Sequence, residues 1–119
     1  MIVDPAWRDE TMKVIIAGNR IVRMSKQISR ADFSATYIGI TVVRAAAFQR
    51  LFNRIEYLIG AGDEKVFFNA AVQRLADEGL HVAASGTGGL PWAEIDDPGD
   101  LAFARLYVFP SLASVAAAA

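Results

Sequence analysis

The stretch from residue 91 to residue 105, PWAEIDDPGDLAFAR, specifies its local structure more fully than any other part of the chain. Trp92, Glu94 and Asp96 alternate with Ala93 and Ile95, which is the period-two pattern of a short β-strand. In such a strand Glu94 and Asp96 point to the same face and Ile95 points to the opposite one. The sequence therefore predicts two acidic side chains on an exposed face of a sheet, with Ile95 buried behind them.

The residues that follow predict the start of a helix. Asp97 suits the N-cap, Pro98 suits the first helical position, and Asp100 can accept hydrogen bonds from the unpaired amides of the first turn. Apolar residues that would pack this helix onto a sheet are Leu101, Ala104 and Leu106 to Val108. Asp96 then lies at the carboxyl end of a strand, where open α/β sheets bind ligands. Acidic residues beside a helix start are most often caps alone, so a purely structural role is the alternative.

The remaining segments predict an α/β fold with a small mixed sheet, a β-hairpin and three helices. Gly18-Asn19 lies between two apolar runs, at 12–17 and 21–25, and tolerates the backbone of a tight hairpin turn. The other predicted elements are a strand at 36–43, helices at 44–60 and 64–78, a strand at 80–84 and a last helix ended by Phe109-Pro110. Gly79 is the predicted stop of the second helix. Helical spacing predicts a buried stripe of Phe48, Leu51, Phe52, Ile55, Leu58 and Ile59.

The amino-acid composition limits the classes of function that the chain could have. A chain of 119 residues suits one small domain, and 54% hydrophobic residues indicate that much of it is buried. Because the formal net charge is −1, nothing favours binding to nucleic acid or to an anionic membrane. The absence of cysteine excludes disulfides, and a single histidine argues against a zinc site. That residue, His81, is interpreted as structural or surface-exposed. Without a signal-peptide pattern or a membrane-spanning apolar run, a cytoplasmic location is predicted.

Ser85 to Gly89 is rich in glycine but is not interpreted as a phosphate-binding loop. Such a loop needs Gly-Lys-Ser/Thr and an immediate helix, whereas this run continues into Pro91-Trp92. It is predicted to be a connecting loop.

The pattern Trp-x-Glu-Ile-Asp-x-Pro-x-Asp-Leu at 92–101 resembles the C-terminal signature of nucleotidyltransferases, usually W-x-E-I-D-T-P-E-D-L. These enzymes join a nucleoside triphosphate to a sugar phosphate or to phosphocholine. The chain departs from the signature at Asp97 and Gly99, and both residues are compatible with a helix capped at this position. The resemblance covers roughly residues 1 to 106, discontinuously. It implies a partial nucleotidyltransferase (Rossmann-like) fold, with residues 1–109 as its C-terminal, acceptor-side half and 110–119 as an alanine-rich tail.

The resemblance also implies site residues. Asp96 corresponds to a magnesium ligand, and Glu94 and Trp92 to substrate-binding residues that face the acceptor. Lys26 corresponds to a catalytic lysine that contacts phosphate or the acceptor, and Gly39 to a glycine that lets the backbone approach the ligand. The family often has Tyr-Tyr-Glu-Asp near the second helix, where this chain has Phe67-Phe68-Asn69-Ala70, so the acceptor is not specified.

The Gly-rich, arginine-containing loop that holds the triphosphate in this family is not found in the sequence. The chain is therefore expected to bind Mg²⁺ weakly and to be inactive alone. Its expected partners are a nucleoside triphosphate and a phosphorylated acceptor once an N-terminal half completes it, and it could also form a homo- or hetero-oligomer through an exposed sheet edge. The alternatives are a non-catalytic binding or regulatory module that keeps half of the fold, and a purely structural domain.

Overall fold

The computed structural model describes residues 1–62 and 68–117. These residues belong to two compact units, Met1–Gly86 and Thr87–Ala119. No helix in the described ranges is both long enough and apolar enough to cross a bilayer.

The first unit contains a mixed five-stranded sheet with the order β3-β2-β4-β1-β5. The strands are β1 Ile2–Asp4, β2 Lys13–Ala17, β3 Arg20–Ser25, β4 Ala35–Tyr37 and β5 Ser85–Gly86. β1 and β5 are parallel, and the other neighbouring strands are antiparallel. The predicted α/β class and small mixed sheet are therefore confirmed.

The hairpin formed by β2 and β3 is also confirmed. Ala17 pairs with Arg20, so the loop contains only Gly18 and Asn19. Gly18 has a φ of 63°, a left-handed conformation that glycine adopts at little cost and that two-residue hairpin loops require.

Strand β3 lies at one edge of the sheet, and its backbone groups are paired by two other parts of the unit. The Ile21 amide donates to the Val82 carbonyl at 2.8 Å, and the Ala84 amide donates to the Asn19 carbonyl at 2.8 Å. Residues 82–84 lead directly into β5, the strand at the opposite edge. The sheet is therefore curled so that its two edges are linked at this point.

A side chain covers the next part of the same edge. Gln73, on the second helix, accepts a hydrogen bond from the Met24 amide at 2.7 Å and donates to the Val22 carbonyl at 3.2 Å. Its carboxamide thus pairs with β3 as the peptide of a neighbouring strand would. Pairing of this edge with another protein chain stays a prediction.

Two helices of the first unit match their predicted positions where they are described. Helix α1 spans Ala45–Gly60 and helix α2 spans Phe68–Asp77; the predicted start of α2 at residue 64 lies outside the described residues. Gly79 ends α2 with a φ of 92°, while the Gly79 amide donates to Ala76 and the Leu80 amide to Leu75. This pattern is a Schellman motif, as the glycine predicts.

The predicted core stripe of α1 is buried only along one side. Leu51 and Leu58 are buried, but Phe48, Phe52 and Ile59 are about half exposed. Because successive residues turn by about 100°, these three lie roughly 60–100° around the helix from Leu51. The stripe is therefore wider than the surface that covers it, which overturns the prediction for these three side chains.

Lys13 is the most unusual core residue, since its side chain is only 1% exposed. Its ammonium donates to the carbonyls of Asp9 at 2.7 Å, Lys26 at 3.1 Å and Thr11 at 3.4 Å. It also lies 4.6 Å from the centre of the Trp7 ring. The charge is thus solvated by backbone dipoles and an aromatic face, and it ties the connection before β2 to the end of β3.

Two predicted strands are shortened or displaced. The strand predicted at 36–43 ends at Tyr37; Ile38 and Ile40 each keep a backbone hydrogen bond with Ile2, but Gly39 between them has a φ of 85° that interrupts the extended chain. The strand predicted at 80–84 is replaced by a bridge at Ala83 and the two residues of β5. In both cases the available neighbours, rather than strand propensity, set the length.

In the second unit, the segment that precedes the helix differs from the prediction. Residues 91–95 have no regular structure, and Ile95 is 53% exposed. The predicted strand from Trp92 to Asp96, with its buried Ile95, is therefore wrong. No strand in the described residues pairs with this segment, and alternation alone cannot supply the hydrogen bonds of a sheet.

The last helix is longer than predicted. Helix α3, Pro98–Phe103, continues through a π-helical segment, Ala104–Val108, into helix α4, Phe109–Ala117. Pro110 therefore does not end regular structure, and the predicted alanine-rich tail is helical through residue 117. Proline has no amide hydrogen and its ring crowds the carbonyl four residues before, so a widened π turn just before it relieves that clash. Leu101, Leu106 and Phe109 on this continuous helix remain exposed.

Replacing Lys13 with Met should lower the free energy of unfolding by on the order of 2–3 kcal/mol, because the carbonyls around the ammonium lose a charged donor. Urea unfolding followed by tryptophan fluorescence measures this change. The matched control is Arg23→Met, which replaces an exposed side chain of β3 and should change stability by less than about 0.5 kcal/mol. Equal losses in the two variants would contradict the role assigned to Lys13.

Gly79→Ala should destabilise the first unit by about 1–2 kcal/mol, the cost of a side chain in the left-handed region. The control is Gly60→Ala at the end of α1. Because the φ of Gly60 is not positive, this substitution should not lower the stability. A Cβ at either position meets no heavy atom within 4 Å, so the comparison isolates backbone strain. Thermal unfolding of the two variants measures the difference in stability. Equal midpoint temperatures would refute the strain argument.

Candidate functional site

The helix start after residue 96 is held by a reciprocal capping box. The Asp97 carboxylate accepts hydrogen bonds from the amides of Gly99 at 2.7 Å and Asp100 at 2.9 Å. The Asp100 carboxylate accepts from the amides of Asp96 at 3.1 Å and Asp97 at 3.3 Å. The predicted roles of Asp97 and Asp100, and of Pro98 in the first turn, are confirmed.

Glu94 and Asp96 lie immediately before this cap. Both side chains are exposed, and neither carboxylate has a hydrogen bond or ion pair among the residues that the structure describes. Only the backbone of Asp96 is fixed, through its amide. Since the segment is not a strand, nothing holds the two carboxylates on a common face.

A magnesium ion requires oxygen ligands gathered at one point, normally one or two carboxylates together with substrate phosphates. Within residues 1–62 and 68–117, no three side chains among His, Asp and Glu come together in a way that could hold a metal. Mg²⁺ bound at Asp96 would therefore need further oxygen ligands from the nucleotide or from another chain.

The other site residues implied by the resemblance lie in the first unit. Lys26 is exposed just after β3, and its carbonyl is one of the acceptors around Lys13. Gly39 has a φ of 85°, and no atom lies within 4 Å of where its Cβ would be. Backbone conformation alone is thus enough to explain this glycine. Trp92 belongs to the second unit and is partly buried.

The first unit contains a cavity of about 640 Å³. Its size falls in the range of roughly 300–1,000 Å³ found for small-molecule sites. Its apolar walls come from α1, α2 and the segment before β5, and they include Leu51, Val72, Leu75, Leu80 and Val82. Neither Lys26 nor Gly39 lines it.

Two arginines supply the charged side chains that line this cavity among the described residues. Arg44, Arg50 and His81 line it and are exposed, and none of their side chains is hydrogen-bonded or ion-paired within the described ranges. Met1 also lines the cavity. Its amino group donates to the Ala83 carbonyl at 2.7 Å, and partial burial lowers the pKa of this amino group. The cavity is therefore apolar inside with positive charge at its lining.

Sequence reasoning did not find this cavity. Its lining comes from Met1, the hairpin turn, residues 41–51, helix α2 and residues 80–83, which are far apart along the chain. His81 is exposed as interpreted, but no local pattern indicates that it shares a cavity with Arg44 and Arg50.

Comparison with protein-family models, with curated proteins and with solved structures found no match to this chain.

Asp97→Ala should destabilise the start of α3 by about 1 kcal/mol, because two amides lose their acceptor. Asp96→Ala removes a carboxylate from the adjacent position without removing a cap bond and is the matched control. Helicity by circular dichroism and amide exchange of residues 98–101 measure the effect. The capping argument fails if Asp96→Ala frays the helix as much as Asp97→Ala.

Proposed function

We propose that the chain supplies the acceptor-side half of a magnesium-dependent nucleotidyltransferase with a partial Rossmann-like fold. The reaction transfers a nucleotidyl group from a nucleoside triphosphate to a phosphorylated acceptor, a sugar phosphate or phosphocholine. One observation carries the proposal: Glu94 and Asp96 present uncommitted carboxylates directly before a capped helix. Capping accounts for Asp97 and Asp100 but leaves these two acids without a structural role in the described residues.

Each proposed site residue has a chemical task. Asp96 supplies one carboxylate to a metal whose other ligands come from the nucleotide and from a complementary half, since the described chain alone does not gather enough oxygens. Glu94 and Trp92 face the acceptor, where an acid and an aromatic ring suit a cationic headgroup. Lys26 supplies a positive charge to phosphate, and Gly39 permits close backbone approach.

A second candidate is a non-catalytic binding or regulatory module. It is favoured by the half-exposed Phe48, Phe52 and Ile59 on one side of α1, since exposed apolar side chains that lie together often mark an interaction surface, and the rings of Phe48 and Phe52 are in contact. Both candidates require a partner, but only the first requires Asp96.

The isolated chain should release no pyrophosphate above background from CTP or another triphosphate, with either acceptor. Transition-state charge in nucleotidyl transfer is stabilised by positioned donors, and removing even one such donor typically costs about 10²–10³ in rate. Adding the nucleotide-binding half of such an enzyme should produce turnover, and Asp96→Ala should reduce that turnover by about 100-fold or more.

Glu56→Ala, which removes an exposed acid from α1, is the matched control and should leave the restored activity unchanged. A readout that does not depend on turnover is the broadening of amide NMR signals of the chain, combined with the nucleotide-binding half, when Mn²⁺ and CTP are added. It should centre on residues 94–97 and vanish in Asp96→Ala. Broadening that survives this substitution, or turnover by the isolated chain, would overturn the proposal.

A further inference from the structure

We propose that the cavity of the first unit binds a small organic carboxylate with an aliphatic or aromatic body. The inference goes beyond the proposed function, because Lys26, Glu94 and Asp96 are not among the residues that line the cavity.

The apolar walls of the cavity favour a ligand with a hydrocarbon moiety. Leu51, Val72, Leu75 and Val82 are buried core residues that also face the cavity, so a ligand there contacts side chains held in place by packing. Removing apolar surface from water is favourable, so these walls favour a ligand with a hydrocarbon body over a fully polar one. An inorganic anion would leave this surface uncovered.

The lining determines the charge of the ligand. Arg44, Arg50 and His81 are contributed by the start of α1 and by the segment before β5. Among the described residues, no acidic side chain lines the cavity, and the guanidinium groups of Arg44 and Arg50 favour an anion. A guanidinium can donate two parallel hydrogen bonds to a carboxylate, whereas a cationic ligand would meet like charges.

Arg44 can be tested without disturbing the fold. It occupies the N-cap position of α1, but its side chain makes no capping hydrogen bond, and Arg50 is exposed in the second turn. Neither takes part in an ion pair within the described ranges. Replacing both therefore removes charge and leaves the apolar walls in place.

The test is titration of the ¹⁵N-labelled 119-residue chain with octanoate, followed by amide chemical shifts. Saturable shifts should appear at residues 41–47 and 80–83. Octylammonium and octanamide carry the same body with reversed and neutral head groups, and both should bind more weakly by roughly tenfold or more, the range expected when charge-assisted hydrogen bonds are lost. Inorganic phosphate alone should cause no saturable shift at these amides.

Arg44→Ala combined with Arg50→Ala should weaken octanoate binding by a similar factor, while Arg23→Ala on β3 should leave it unchanged. Binding of octylammonium as tight as that of octanoate, or octanoate shifts that lie outside these segments, would overturn the proposal. Because the three probes are compared on the unaltered chain, the proposal can be refuted even if the double variant does not fold.

Discussion

The backbone of β3 imposes the constraint on which the first unit depends. A strand at the edge of a sheet presents amides and carbonyls that must find partners when they are shielded from water. Here residues 82–84 pair with the turn and the start of β3, and Gln73 pairs with its middle. These bonds join parts of the chain about 50 residues or more apart and fix the position of α2 against the sheet.

The same constraint creates the cavity. Because residues 80–83 are held against the hairpin turn, they lie beside the start of α1 and form a wall with Leu51 and Val72. At the other end of the hairpin, the Lys13 ammonium holds the carbonyls of Asp9 and Lys26. The two ends of the hairpin are thus secured by different means, backbone pairing at the turn and a buried charge at the open end. A buried ammonium is tolerated because carbonyl dipoles and the Trp7 ring replace its water.

In the second unit, the residues that cap a helix are neighbours of the residues of the proposed site. The capping box explains Asp97, Pro98 and Asp100 in full, so these three residues support the nucleotidyltransferase proposal only weakly. The nucleotidyltransferase proposal rests instead on Trp92, Glu94 and Asp96, which the helix cap does not require. The proposal therefore depends on side chains whose positions the helix does not fix.

The sequence by itself determined the features whose physics lies within a few residues. The hairpin at Gly18, the helix stop at Gly79 and the cap at Asp97 each follow from a backbone angle or a hydrogen bond to a near neighbour in sequence. The period of apolar residues likewise placed α1, because an amphipathic helix repeats every few residues.

Only the tertiary structure decided what depends on distant partners. Alternation at 92–96 did not produce a strand, since a strand needs a neighbour to pair with. The apolar spacing of α1 did not reveal which side is covered, so Phe52 is exposed while Leu58 is buried. The burial of Lys13 depends on carbonyls supplied by a loop and a strand end, and the cavity combines five separate segments of the described chain. No local pattern encodes such contacts, because they form only when the chain folds back on itself.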